Sequence, residues 1–325
     1  MTLNFWFHYS LDKEQKYTFT VASKLLFDHY KETYPEIDWT LTPEFLNNQQ
    51  YRDAYGYIPS AHDIKDIDRR LAKFVYNQPN YQTTIIENPD NGKYILICYW
   101  DKASKYVSKL PDVENMVQFL PAVGVHDNDF NYKDFGIPYT PISKCTFFLS
   151  NDSSIDKHKD NPKRTVLSKP YYRGCSYGMK RWTSMYDSRF DMRCEGILPE
   201  EFVEEMSQSA INVDFNCVAE PSDRTNIAMG LGTALIRPKL TIQYKNQLIP
   251  DYHYAEVKYD LNNIRGEDSY KHLAEAYLDR YEDVKKDRDF MVFLSENGRK
   301  YYEQNDTLES HIQILKDTIN LDLLK

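Results

Sequence analysis

The stretch EPSDRTNIAMGLGTALIRPK, residues 220–239, gathers basic side chains, a helix-start signal and two glycines around one short apolar run. Ser222 or Asp223 suits the N-cap of a helix, with Arg224, Thr225 and Asn226 in its first turn. Gly232 can end that helix in a left-handed conformation before Thr233 to Ile236 resume a strand. The first-turn N–H groups and the helix dipole favour an anion by about 0.3–1 kcal/mol. Arg224 can add charge-assisted hydrogen bonds worth about 1.5–3 kcal/mol. The stretch therefore fits a cradle for a diphosphate. It equally fits a plain surface helix whose arginine pairs with Glu220 or Asp223.

Outward from this point the C-terminal half alternates between strand and helix. TVLSKPYYRG reads as a strand, ILPEEFVEEMSQS as a helix, AINVDFN as a strand, Thr225 to Leu231 as a short helix and TALIRP as a strand. Such alternation predicts a parallel sheet with crossover helices. Three helices close the chain: His272 to Lys286, Phe290 to Asn305 and Leu308 to Leu324. The N-terminal half opens with a strand at Leu3 to Phe7 and a helix carrying Phe19, Ala22, Leu25, Leu26 and His29 that stops before Pro35. A second amphipathic helix is expected from Ser60 to about Tyr76, and two strands flank the Asp-Asn-Gly turn of TTIIENPDNGKYILICYWD. Short apolar runs follow at MVQFLPAVGV and CTFFLS. The polar stretch NDSSIDKHKDNPKR, from residue 151, reads as a linker. The expected organisation is an α/β chain of two domains, one over 1–150 and one over 164–325, with a linker over 151–163.

Composition narrows the function classes. A chain of 325 residues with 41% hydrophobic content can build a core in each of two domains, and a formal net charge of −9 argues against a protein that mainly coats nucleic acid. The 5 cysteines are scattered, without CxxC or metal-finger spacing, which suits a reducing cytoplasm and suggests neither a disulfide framework nor a zinc site. No stretch approaches the roughly 18–20 apolar residues that span a bilayer, so integral membrane association is not expected.

The run SQSAINVDFN…EPSDRTNIAMGLGTALIRP resembles the C-terminal half of GT-B glycosyltransferases, in which a loop, an arginine-bearing helix and a strand of the type ALxxGTxxI succeed one another. KPYYRGCSYGMKR, LIPDYHYAEV and NGRKYYEQNDTLESHIQILKDTI resemble, in order, the opening Arg-Gly strand and loop, a later "HY" loop and the closing helices. This resemblance covers residues 164–325 and implies two Rossmann-like domains facing a cleft, an acceptor-side one over 1–150 and a nucleotide-sugar-binding one over 164–325. It implies a glycosyltransferase that moves a sugar from a nucleotide-diphosphate donor to a glycan or other hydroxyl acceptor, with no cofactor beyond the donor itself. On the same resemblance, Arg173, Ser222, Arg224, Thr225 and Asn226 would hold the diphosphate, Lys180 or Arg181 would assist, and His253 would line the nucleotide pocket. Retaining members often carry two glutamates eight positions apart here. Glu220 would be the first, but Ala228 stands at the second, which favours inversion.

Inversion needs a base near the acceptor hydroxyl. Asp101, at the end of YILICYWD, and His126, Asp127 and Asp129 in GVHDND follow predicted strands, where α/β sheets place their sites. Asp127-Asn128-Asp129 also has the DxD form that binds a divalent metal in GT-A glycosyltransferases. In a GT-B enzyme no metal need hold the diphosphate, because the helix terminus and arginines do so. Two alternatives stay open: a non-catalytic nucleotide- or carbohydrate-binding protein of GT-B type, and a viral-type glycosyltransferase acting on modified DNA bases. The latter is suggested by the Lys, Arg and Tyr content of residues 156–193.

Overall fold

The computed structural model describes residues 1–7, 18–41, 83–98, 113–121, 140–142, 149–173, 188–193, 197–215, 222–240, 245–259 and 267–325. The expected helix from Ser60 to Tyr76 lies outside them. The chain divides into two compact units, one of residues 1–144, 242–245 and 311–325, the other of residues 145–241 and 246–310.

In the first unit, β1 (Thr2–Phe7), β2 (Asp38–Leu41), β3 (Thr83–Glu87), β4 (Tyr94–Cys98) and β5 (Met116–Pro121) form a sheet of order β2-β1-β3-β4-β5. The sheet is mixed, because β3 runs antiparallel to both β1 and β4. The Asn88–Lys93 turn joins β3 to β4 directly, and Gly92 supplies its left-handed residue at φ 72°. So short a connection can only make a hairpin. Helix α1 (Thr18–Thr33) buries Ala22, Leu26, Phe27 and Tyr30, and Phe27 meets Phe5 edge-on at 5.4 Å. The chain's last residues return to this unit through side-chain amides. Asn88 and Asn91 donate to the Leu324 carbonyl at 2.8 and 3.0 Å, and Gln118 donates to the Thr318 carbonyl at 2.8 Å.

The second unit is built on β6 (Tyr171–Arg173), β7 (Asp191–Arg193), β8 (Ile211–Val213), β9 (Ala234–Pro238) and β10 (Ala255–Val257), all parallel and ordered β10-β9-β8-β6-β7. Its helices are α2 (Leu149–His158), α3 (Pro199–Ser207), α4 (Asp223–Gly230), α5 (Glu267–Lys286) and α6 (Arg288–Asn305); α7 (Leu308–Thr318) leads back to the first unit. The start of α3 shows Pro199 at its first position and Glu201 accepting from the Leu198 N–H at 3.1 Å. Tyr172, Phe190, Ile211, Val213, Phe215, Ile236 and Val257 pack against Leu273, Tyr277, Tyr281 and Val284 of α5 and Leu294 of α6 to form the core.

Two expectations are corrected. The proposed linker 151–163 instead holds most of α2, and the division falls at 144/145, with residues 242–245 and 311–325 counted in the first unit. From Asn151 onward the buried residues of α2 are Asn151, Ser154 and Ile155, two of them polar, so a search for apolar periodicity passes over it. Arg164, also placed at the head of the second domain, fixes this region: its guanidinium donates to the carbonyls of Lys159, Ser207, Leu231 and Gly232 at 2.7, 3.2, 2.8 and 3.0 Å. It thereby binds the C-terminal ends of α2, α3 and α4, where helix carbonyls lack intrahelical partners.

Candidate functional site

In a parallel α/β sheet, ligands gather at the carboxyl ends of the strands. In the second unit that edge carries Arg173 at the end of β6, Asp214 after β8, Arg237 near the end of β9 and the start of α4. The segments that follow these strands, 174–187, 194–196, 216–221 and 241–244, lie outside the described residues, and with them Lys180, Arg181 and Glu220. Asp101, His126, Asp127 and Asp129 also lie outside.

Helix α4 begins as the sequence suggests. Ser222 is the N-cap residue in extended conformation at φ −77°, ψ 162°, and Gly232 takes φ +65° just beyond the C-terminal end. Thr225 through Gly230 are buried, and Ser222, Asp223 and Arg224 at its start are partly buried. Arg224 Nε donates to the Arg173 carbonyl at 2.7 Å, and the guanidinium lies 4.6 Å from the centre of the Tyr172 ring and 5.6 Å from that of Phe202. The carbonyl and the two rings fix the plane of the guanidinium.

The other predicted donor ligands are arranged differently from expectation. Ser222 Oγ donates to Asp214 Oδ1 at 2.7 Å and Thr225 Oγ1 donates to Asp214 Oδ2 at 2.6 Å, so both hydroxyl protons turn inward. Asn226 is 1% exposed. Residues three apart on a helix share a side, which explains why Ser222 and Thr225 reach one carboxylate while Arg224 points elsewhere. Arg237 completes the cluster: Nη1 donates to Thr225 Oγ1 at 2.6 Å and lies 3.6 Å from Asp214 Oδ2. Arg237 and Asp214 are 0% and 1% exposed.

Arg173 is buried and clasped by Glu205 of α3. Nε meets Oε2 at 2.8 Å and Nη2 meets Oε1 at 3.0 Å, in the bidentate geometry that arginine and carboxylate favour. Tyr171 donates to the same carboxylate at 2.5 Å and Arg193 approaches it at 3.3 Å. Burial acts to raise the Glu205 pKa, but the bonds from Arg173 and Tyr171 outweigh it, and the carboxyl is held below the usual range. Burial, followed by the bond to Glu205, drives the Tyr171 phenol well above its ordinary value.

His253 is not brought to this edge. It precedes β10, whose Ala255 pairs with Ile236 in parallel, so it sits at the amino end of the sheet. Its carbonyl lies beside Gly298, which also faces Met229 at the far end of α4 from Arg224. The ring accepts from the Ile249 N–H through Nδ1 at 2.9 Å and packs on Tyr252 and Tyr301, and burial lowers its pKa. A cavity of about 430 Å³ lined by Leu167, Lys169, Phe190, Asp191 and Met192 also opens at the amino ends of strands, here β6 and β7, away from Arg224.

Sequence reasoning missed Asp214, Arg237, Glu205, Tyr172 and Phe202. One signal was present: Arg237 interrupts the apolar run ALIRP of a fully buried strand, and a buried charge requires a buried partner. Among the described residues no group of three or more His, Cys, Asp or Glu is placed to hold a metal ion, and no helix is long and apolar enough to cross a membrane.

No protein-family model and no curated protein matches the chain. Solved structures similar to it include an alpha-glucosyltransferase in complex with UDP and a 13-mer DNA containing a central A:G mismatch, at 10% identity and a TM-score of 0.48 over 98% of each chain. An alpha-glucosyltransferase in complex with UDP-glucose and DNA containing an abasic site matches at 12% identity and 0.44 over 100% of each chain. The pneumococcal O-GlcNAc transferase GtfA in complex with UDP and GlcNAc matches at 11% and 0.39, over 66% of this chain and 46% of that one.

Proposed function

We propose that the protein is a glycosyltransferase of GT-B type that moves a sugar from a nucleotide-diphosphate donor to a hydroxyl of a glycan or similar acceptor in the cytoplasm. The observation that carries this reading is the placing of Arg224. It stands at the partly buried start of α4, on the carboxyl edge of a parallel sheet, with its guanidinium plane set by a carbonyl and two aromatic rings. When the bond from the anomeric carbon to the phosphate oxygen breaks, negative charge collects on the leaving diphosphate. A fixed guanidinium beside a helix N-terminus stabilises that charge without reorganising. In an inverting transfer the acceptor hydroxyl attacks the opposite face of the anomeric carbon as a base removes its proton. Asp101, His126 and Asp127 are the proposed candidates for that base.

The test is a melting screen against UDP, GDP, ADP and CDP, followed by calorimetry in the presence of chelator. A ligand at 100 times its dissociation constant should stabilise the protein by about 2.7 kcal/mol. Binding that persists under chelation supports the reading. Binding lost under chelation and restored by manganese would replace it with a GT-A-type site using Asp127 and Asp129.

A further inference from the structure

Asp214 is fixed at four points of the candidate site. Its N–H donates to the Ile236 carbonyl of β9 at 2.9 Å, and its own carbonyl accepts from the Tyr277 hydroxyl of α5 at 2.8 Å. Both carboxylate oxygens are given to α4, one to Ser222 and one to Thr225. The backbone of Asp214 is thus tied to the sheet and to α5, while its side chain grips the first turn of α4 at two points three residues apart. Two such points set the rotation of that turn about its axis. The direction of Arg224, between them in sequence, follows from the rotation.

We propose that Asp214 is a positioning residue for the donor diphosphate: through Ser222 and Thr225 it sets the angle at which Arg224 and the start of α4 meet the phosphates. This rests on the diphosphate reading of the site. The buried carboxylate would by itself work against an anion bound nearby, and Arg237, 3.6 Å from Oδ2, supplies the opposite charge. Stability alone does not account for the arrangement, since buried ion pairs are commonly replaceable by apolar residues of similar volume without loss. The hydroxyl protons of Ser222 and Thr225 are already given to Asp214, so neither hydroxyl serves as a donor to phosphate.

The experiment is a double-mutant cycle on Ser222→Ala and Asp214→Asn, read as the dissociation constant for whichever of UDP, GDP, ADP and CDP binds the wild type most tightly. Each single variant should weaken binding about 5- to 30-fold, and the double variant should be no weaker than Asp214→Asn alone, because both changes remove one coupled contact. Ser222→Thr, which keeps the hydroxyl, should bind within about 2-fold of wild type. Losses that multiply in the double variant would overturn the proposal, since they would mean that the Ser222 hydroxyl meets phosphate directly. Unchanged affinity in Ser222→Ala would overturn it as well. If Asp214→Asn does not fold, the comparison of Ser222→Ala with Ser222→Thr decides, because Ser222 is only partly buried. Absence of binding in the wild type itself would remove the diphosphate reading and this proposal together, an outcome visible before any variant is made.

Discussion

Replacing Arg224 by alanine should weaken nucleoside diphosphate binding and lower stability, and the two effects separate the possible roles of this side chain. For binding, the loss of a charge-assisted hydrogen bond worth about 1.5–3 kcal/mol corresponds to about 10- to 150-fold in the dissociation constant. For stability, the sequence alone suggests little change. The structure says otherwise, because Arg224 holds the Arg173 carbonyl at 2.7 Å and lies over Tyr172 and Phe202. A hydrogen bond from a charged donor and a partly exposed cation–π contact together amount to about 2–4 kcal/mol. At roughly 2–4 °C per kcal/mol for a unit of 150–250 residues, the melting temperature should fall by about 4–16 °C. Affinity is then measured by calorimetry well below the lower melting temperature, so that every variant is fully folded. Arg224→Lys keeps the charge but loses the planar fork and the Nε–H, and should bind with intermediate affinity. If both variants melt lower yet bind the diphosphate as tightly as wild type, Arg224 is a structural strut and the phosphate reading is wrong.

Other consequences are open to measurement. Arg164→Ala removes one guanidinium from the ends of three helices and should cost about 2–4 kcal/mol in urea unfolding, and Arg164→Lys should recover little of it, because a single ammonium cannot reach all four carbonyls. His253→Ala should leave diphosphate affinity within about 2-fold of wild type, since the ring sits at the other edge of the sheet; a loss above about 10-fold would mean that the donor lies at the amino edge instead. Glu205 has its pKa depressed in the folded state, so its contribution is present above the unfolded value of about 4.3 and is lost as pH falls through the lower, folded value. Melting curves of Glu205→Gln should accordingly show a shallower acid limb below about pH 4.3 than wild type, and identical acid limbs would show that the cluster does not stabilise the fold.

Which elements the sequence reveals follows from how each is stabilised. Strands β1, β3, β4 and β5 and helices α1, α3, α5 and α6 carry their own apolar pattern, and each is visible in a short window. β2, β7 and β10 are only 3–4 residues long and exist through pairing with a neighbour, as in the parallel register of Tyr171 with Asp191. No local pattern can announce them. The mixed first sheet follows from a turn that was legible, and the parallel second sheet from the alternation of strand and helix in the C-terminal half. For the site, residue type singled out Arg224, whereas helical spacing shows that Ser222 and Thr225 turn together away from it. The placing of His253 depends on the direction of β10, which only the pairing with β9 reveals.

The least legible contribution is that of α3, which read as an ordinary amphipathic helix. Phe202 and Glu205 lie three positions apart and so share a side. Phe202 lies under the Arg224 guanidinium, while Glu205 clasps the side chain of Arg173, whose carbonyl receives the Arg224 Nε–H. Arg173 therefore takes part in the site through its backbone, with its guanidinium engaged in holding that backbone in place. A phosphate seeking the same guanidinium would have to displace a bidentate carboxylate. The two arginines that looked alike in the sequence are thus held differently: the Arg173 guanidinium by a glutamate more than thirty residues away, the Arg224 Nε by the Arg173 carbonyl.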